Sequence, residues 1–193
     1  CNSFMTWGFQ SPNFGASVDL HAYEKWLTQV CDAKGAYQLH RHVLQHLQAF
    51  APRQWWTLKA PPHLFWLDRV FETYPDARVV MTHRDPAAVL PSNASLISFL
   101  RKGAGEVDPK KIGRHEVEKW KQGVERTMAY RASGKHRAQI FDSQYADYMR
   151  DPMGAVAAIY DHFGMTLTAE GEGRMRAFLA QNTQDKHGAH HYT

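Results

Sequence analysis

Hydrophobic and polar positions along the chain alternate between helical spacing and short apolar runs. Segments with apolar residues at helical spacing predict amphipathic helices at 19–30, 36–50, 62–74, 86–102, 114–132, 151–163 and 169–180. Short apolar or β-branched runs predict strands at 55–59, 79–81 and 138–141. Strands that alternate with helices over short connections indicate an α/β fold, with a parallel sheet flanked by helices.

Two of the predicted helices have apolar residues that define an inward face. In the helix at 36–50 these are Val43, Leu44, Leu47 and Phe50, and in the helix at 114–132 they are Val117, Trp120, Val124 and Met128. The histidines of the helix at 36–50 are assigned to its polar face; they are His40, His42 and His46. Since no carboxylate or cysteine nearby completes a ligand set with them, we predict no metal site.

The junction between the strand at 79–81 and the next helix suits an anion. Asp85 is a good helix N-cap, and Pro86 fits the first helical position, where no N–H is needed. Arg84 therefore lies at the carboxyl end of a strand, beside a helix N-terminus. Ser92 follows about two turns later and can face the same way, so that the two side chains can hold a phosphate between them. The alternative is an ordinary surface pair of Arg84 and Asp85.

Open parallel sheets bind ligands beyond the carboxyl ends of their strands, and three segments qualify here: 59–63, 84–92 and 142–145. In the first, Lys59 ends a strand and His63 opens a helix, so both can face one crevice. A lysine beside an imidazole suits attack of a hydroxyl on an anionic centre, with His63 as general base and Lys59 stabilising the leaving oxygen. The alternative is a solvated Lys59 and a His63 bonded to the backbone.

Composition limits the class of protein. The 193 residues suit one α/β domain, 1–193, without a repeat or a dividing linker. The net charge of +4 is spread along the chain, which favours an anionic small molecule over nucleic acid. No apolar run approaches the about 20 residues of a membrane span, and no signal-peptide pattern is present. With Cys1 and Cys31 as the only cysteines, we predict a cytoplasmic protein without a disulfide framework.

A linked set of motifs resembles the bacterial sulfotransferases that use 3′-phosphoadenosine 5′-phosphosulfate (PAPS). The set consists of WTLKAPPHL at 56–64, YPDA at 74–77, and THRDP at 82–86 with Ser92. Trp26, the segment 37–48 and the segment 145–164 also lie as in that family. The motifs occur in the family's order over most of the chain, which is far more specific than any one of them.

The resemblance implies an α/β fold of the P-loop nucleotide-binding type and transfer of a sulfuryl group from PAPS to a hydroxyl or amine, without a metal. It implies that Arg84 and Ser92 grip the 3′-phosphate and that Tyr145 lies near the adenine. It places Lys59 near the transferring group and makes His63 the candidate base. PAPS and a small-molecule acceptor are thus the expected partners, and neither the acceptor nor the oligomeric state is predicted.

One part of the family pattern is missing. No glycine of this sequence stands in a strand-to-helix loop like the family's 5′-phosphosulfate loop, which belongs upstream of Cys1. The family also continues beyond a segment like His190-His191-Tyr192. We therefore expect the fold to be incomplete at the N-terminus. The alternatives are a kinase of related fold, whose glycine-rich loop would lie upstream, and a non-catalytic nucleotide-binding module.

Overall fold

The structure, a computed structural model, describes residues 2–183; Cys1 and the segment 190–192 lie outside this range. The helices are α1 (Asn2–Thr6), α2 (Asn13–Ser17), α3 (His21–Gln29), α4 (Lys34–Phe50), α5 (Leu67–Thr73), α6 (Pro86–Arg101), α7 (Pro109–Ala132), α8 (Tyr145–Arg150), α9 (Pro152–His162) and α10 (Ala169–Gln181). Short 3-10 helices form at Pro61–Trp66 and Arg137–Gln139, and the strands are β1 (Val79–His83) and β2 (Ile140–Gln144). Within residues 2–183, no helix has the length and apolar character needed to cross a bilayer.

The chain divides into two compact units. The first comprises Cys1–Ala77 and Leu90–Lys135, and the second comprises Arg78–Val89 and His136–Thr193. The boundary falls inside α6, so the first residues of this helix belong to the second unit and the remainder to the first.

The second unit contains a parallel sheet of β1 and β2, in which Val79 pairs with Ile140 and His83 with Gln144. The predicted parallel pairing is therefore confirmed for these strands. The strand predicted at 55–59 is wrong, because residues 52–60 form neither helix nor strand and the side chains from 51 to 59 are exposed. Backbone groups of a strand need a partner strand, and none of the described strands pairs with this segment.

The hydrophobic core of the first unit joins α1, α3, α4 and the 3-10 helix Pro61–Trp66. Its buried members are Met5, Leu27, Cys31, Ala33, Ala36, Tyr37, Phe65 and Trp66. The inward face of α4 differs from the prediction. Leu44 is buried as expected, but Leu47 and Phe50 are exposed, while Tyr37 and His40 are each only 1% exposed. The assignment of His40 to a polar surface was therefore wrong.

The inward face of α7 also differs from the prediction. The buried residues are Ile112, Glu116, Gly123 and Thr127, whereas Val117, Val124 and Met128 are exposed. The helix begins at Pro109 rather than at residue 114, because the Asp108 carboxylate accepts hydrogen bonds from the backbone N–H groups of Lys110 and Lys111. A charged residue on the buried face needs partners, and the first unit supplies them.

A buried ion cluster joins α3 to α6 and α7; its members are Glu24, Arg101, His115, Glu116 and Lys119. The Glu24 carboxylate lies 3.4 Å from Arg101 Nη2, 3.0 Å from His115 Nε2 and 3.5 Å from Lys119 Nζ, and Lys119 also pairs with Glu116. Burial by itself raises the pKa of Glu24, but the hydrogen bond to His115 and the charges of Lys119 and Arg101 outweigh it and hold the pKa below its ordinary value.

Two further hydrogen bonds tie this cluster to neighbouring backbone and side chains. Arg101 Nε donates to the Gly15 carbonyl at 2.9 Å, and Asn93 Nδ2 donates to Glu116 Oε2 at 2.6 Å. A Cβ at Gly15 would come within 2.3 Å of the Glu24 carboxyl group, so this position needs glycine for close packing.

We expect Arg101→Ala to lower the free energy of unfolding by about 3 kcal/mol or more, because it removes one partner of a buried carboxylate. Arg114→Ala, on the exposed part of α7, is the matched control and should change stability by less than about 0.5 kcal/mol. Urea unfolding followed by circular dichroism measures both. Equal unfolding midpoints for the two variants would show that the cluster does not hold the first unit together.

Candidate functional site

His63 lies on the 3-10 helix Pro61–Trp66, which packs against the buried face of α7. The ring of Phe65 approaches Gly123 so closely that a Cβ there would lie 3.1 Å from it. Thr127 Oγ1 donates to the Leu64 carbonyl at 2.8 Å. These two contacts fix the part of the 3-10 helix that directly follows His63.

The His63 ring is half-buried and uses one nitrogen for a hydrogen bond inside the first unit. Its Nδ1 lies 2.6 Å from the hydroxyl oxygen of the buried Tyr37. Its Nε2 has no hydrogen-bond partner among residues 2–183 and is not a buried atom, so solvent reaches it. Lys59 precedes this helix in the exposed segment 51–59 and has no ion-pair partner in the described part of the chain.

A second phenol and imidazole lie behind the first pair. His40 Nδ1 is 2.6 Å from the Tyr74 hydroxyl, and the Tyr37 and His40 rings are 6.4 Å apart. His40 Nε2 is buried without a hydrogen-bond partner among the described residues. We call Tyr37, His40, His63 and Tyr74 the phenol–imidazole cluster.

All four members of this cluster are neutral at neutral pH. Burial lowers the pKa of His40 to about 4. Burial, with the charge of a protonated His40, lowers the pKa of His63 to about 4. Burial raises the pKa of Tyr74 to about 12 and raises the pKa of Tyr37 as well.

Arg84 stacks on Tyr145 in the second unit. Its guanidinium carbon lies 4.4 Å from the centroid of the Tyr145 ring. The register of β1 and β2, extended by one residue beyond His83 and Gln144, sets Arg84 opposite Tyr145. Both side chains are exposed, and Arg84 has no carboxylate partner among residues 2–183. A stacked guanidinium keeps its N–H edges free, so this one can bind an oxyanion in a bidentate way.

The surface pair of Arg84 and Asp85, considered as the alternative, is not formed. Asp85 Oδ1 instead accepts a hydrogen bond from the Ala87 backbone N–H at 2.8 Å and caps α6, as its position predicted. Ser92 lies on α6, half-buried, and its hydroxyl has no partner in the described part of the chain. Arg84 and Ser92 fall on opposite sides of the boundary between the two units, so their joint use remains a prediction.

Sequence reasoning missed several polar contacts near the predicted site residues. Tyr37 was not identified as a partner of His63, nor Tyr74 as a partner of His40. It also missed a pair at the carboxyl end of the sheet, where His83 Nε2 lies 2.6 Å from Asp142 Oδ1. The alternation of β1 and β2 sets these two side chains on the same face and offered a signal for the pair.

The described residues also contain one group with the composition of a metal site. Ligand atoms of His21, Glu24 and His115 all lie within 4.8 Å of one another. The positive charges of Arg101 and Lys119, however, already contact the same carboxylate. A further cation would be repelled by them, so the ion cluster accounts for this arrangement.

The α/β fold and the sequence as a whole agree with one enzyme family. Residues 6–169 match the sequence profile described as "Sulfotransferase family". The chain therefore belongs to the sulfotransferase family, and the resemblance stated from the motifs is confirmed.

Solved structures and curated relatives agree with this assignment. The fold is similar to sulfotransferase STF1 from Mycobacterium tuberculosis H37Rv, with a TM-score of 0.82 and 34% identity over 91% of this chain and 48% of that one. It is similar to STF9 from Mycobacterium avium, with a TM-score of 0.83 and 29% identity over 96% of this chain and 47% of that one.

The omega-hydroxy-beta-dihydromenaquinone-9 sulfotransferase Stf3 of Mycobacterium bovis and Mycobacterium tuberculosis is 26% identical over 149 residues. That alignment covers 75% of this chain and 37% of Stf3. The chain thus spans less than half the length of these relatives.

We expect the free energy of unfolding to fall as the pH drops from about 6.5 to about 4, because the unfolded chain binds protons at His40 and His63 while the folded chain does not. Each histidine contributes at most about 1.4 kcal/mol per pH unit. His40→Gln should make this dependence shallower, whereas His42→Gln, exposed on the same helix, should not. Urea unfolding at a series of pH values tests this. An unchanged slope in His40→Gln would contradict a buried, neutral His40.

Proposed function

We propose that this protein takes part in transfer of a sulfuryl group from PAPS to a hydroxyl or amine of a small molecule. The observation that carries the proposal is the Arg84–Tyr145 stack at the carboxyl ends of β1 and β2, in a chain of the sulfotransferase family. A cation that has no carboxylate partner in the described part of the chain, at that end of a parallel sheet, suits an anionic nucleotide.

In this proposal the nucleotide end of PAPS is bound by Arg84, Ser92 and Tyr145. The free edge of the Arg84 guanidinium fits a phosphate, because two N–H groups can donate to two phosphate oxygens. The Ser92 hydroxyl adds a donor to the 3′-phosphate, and Tyr145 lies near the adenine. Tyr145 has a second role here, because its ring orients the guanidinium that stacks on it.

Lys59 and His63 act at the transferring group. PAPS supplies the sulfuryl group on a phosphate leaving group. By analogy with phosphoryl transfer, the transition state is loose and in line, so catalysis comes mainly from positioning and from stabilisation of charge. Lys59 stabilises the leaving oxygen, and His63 contacts the reacting oxygens through Nε2, since Nδ1 is occupied by Tyr37.

The acceptor class to test first is a hydroxyl compound. Stf3 is named for a hydroxylated menaquinone, and a hydroxyl group is one of the two acceptor types that the motifs implied. Amines form the second class in the same assay.

We expect Arg84→Ala to weaken binding of adenosine 3′,5′-bisphosphate by about 10- to 100-fold, because a charge-assisted bidentate contact is lost. Binding of adenosine 5′-monophosphate, which lacks the 3′-phosphate, should change much less. Isothermal titration calorimetry measures both ligands, with the exposed Arg137→Ala of the second unit as control. Equal losses for the two nucleotides would contradict a 3′-phosphate role.

We expect His63→Ala to reduce turnover by about 100-fold or more, because it removes a polar group at the reacting oxygens. Adenosine 3′,5′-bisphosphate should still bind with wild-type affinity. Transfer of radiolabelled sulfuryl groups from PAPS to a panel of alcohols and amines measures turnover, with His42→Ala as the control. Wild-type turnover in His63→Ala would exclude a catalytic role, and nucleotide binding without any turnover in the wild type would identify a nucleotide-binding module.

A further inference from the structure

The hydrogen bond between Tyr37 and His63 determines where the imidazole proton lies. Tyr37 is only 1% exposed, and its hydroxyl has His63 Nδ1 as its hydrogen-bond partner among residues 2–183. A phenol carries one proton and can donate it once, while a neutral imidazole has one N–H and one acceptor nitrogen. Two arrangements of the protons are therefore possible across this contact.

One arrangement satisfies both groups and the other does not. If Tyr37 donates to Nδ1, the ring proton of His63 is on Nε2, where solvent or a substrate can accept it. If Nδ1–H donates to Tyr37, the phenol proton faces no acceptor among residues 2–183, in a buried site. A buried donor without a partner is costly, so the first arrangement is favoured.

The groups around His63 support the same arrangement. From α4 it is faced by Tyr37 and His40, and behind them Tyr74 follows α5. None of these carries a negative charge at neutral pH, and the carboxylate whose charge contributes to raising the pKa of Tyr37 is Asp68. A carboxylate against Nδ1 would attract a proton to that nitrogen, as in a catalytic triad, whereas a neutral phenol donates its own.

We propose that Tyr37 is a positioning residue that keeps the ring proton of His63 on Nε2, so that His63 acts as a neutral hydrogen-bond donor and not as the general base. The assignment of the proton rests on the structure alone; the use of the donor in catalysis rests on the proposed function. A neutral imidazole with depressed basicity is an established kind of electrophilic catalyst. Nε2–H then donates to an oxygen of the transferring sulfuryl group.

The proposed step balances without a proton transfer to His63. The acceptor oxygen forms a bond to sulfur, while the bond between sulfur and the bridging oxygen breaks and its electron pair leaves with the phosphate. In a loose transition state the attacking oxygen carries little new positive charge, so its proton leaves late, to water. Lys59 and His63 both act on developing negative charge.

The tautomer can be measured on the protein without any substrate. In nitrogen NMR spectra of histidine-labelled protein at pH 7, we expect His63 to show a protonated Nε2 and an unprotonated, hydrogen-bonded Nδ1. Tyr37→Phe should remove the hydrogen-bond shift of Nδ1, whereas Tyr74→Phe should perturb His40 instead. The ring-nitrogen signals that disappear in the His63→Gln variant are assigned to His63. A ring proton on Nδ1 in the wild type would overturn the proposal.

Measurements of turnover distinguish a hydrogen-bond donor from a general base at position 63. Glutamine places an N–H near the position of Nε2 but cannot take up a proton. We expect His63→Gln to retain at least about tenfold more activity than His63→Ala, as for other single donors at a reacting centre. Equal inactivity of both variants, with folding and nucleotide binding intact, would assign His63 as the base. Absence of turnover in the wild type would contradict the proposed function, and the NMR result would still decide the tautomer.

Discussion

The burial of Glu116 and Glu24 among Arg101, Lys119 and His115 is the constraint on which the first unit depends. Once Glu116 must face inward, helical geometry turns Gly123 and Thr127 inward as well, about two and three turns further along α7. Gly123 lets the Phe65 ring approach the helix backbone, and Thr127 holds the Leu64 carbonyl. The charges of the ion cluster thereby set the position of the 3-10 helix that carries His63.

This constraint explains why the pattern of apolar residues predicted the wrong face for α7. Val117, Val124 and Met128 favour an inward stripe, but a buried carboxylate is costly unless its partners are present, and Asn93, Trp120 and Lys119 meet Glu116 on the other face. Arg101 and Glu24, which are in contact, lie 77 positions apart in the sequence. Partners so distant along the chain cannot be inferred from local periodicity, and His40 was assigned to the surface for the same reason.

Features that depend only on adjacent residues were predicted correctly. The Asp85 cap and the helix start at Pro86 were predicted from adjacent residues, and with them the place of Arg84 at the end of β1. The contact of Arg84 with Tyr145 depends on the register of two strands far apart in the chain, which one sequence does not specify. The segment 55–59 shows the same limit. Its residues favour a strand, but a strand exists only where another strand can pair with it.

The partner of His63 determines what chemistry this residue can offer. In the proposed site, which would hold a nucleotide with several negative charges, a carboxylate against Nδ1 would add repulsion and would have to remain charged while partly buried. In the proposed arrangement Tyr37 orients the ring without adding charge, because it donates its own proton to Nδ1 across the 2.6 Å contact. The same burial that lowers the pKa of His63, and so makes it a poor base, leaves Nε2–H as the group that can act in catalysis. A neutral donor loses less by desolvation than an imidazolium does, so the phenol–imidazole cluster can remain uncharged. In the proposed site Lys59, in the exposed segment, provides the positive charge.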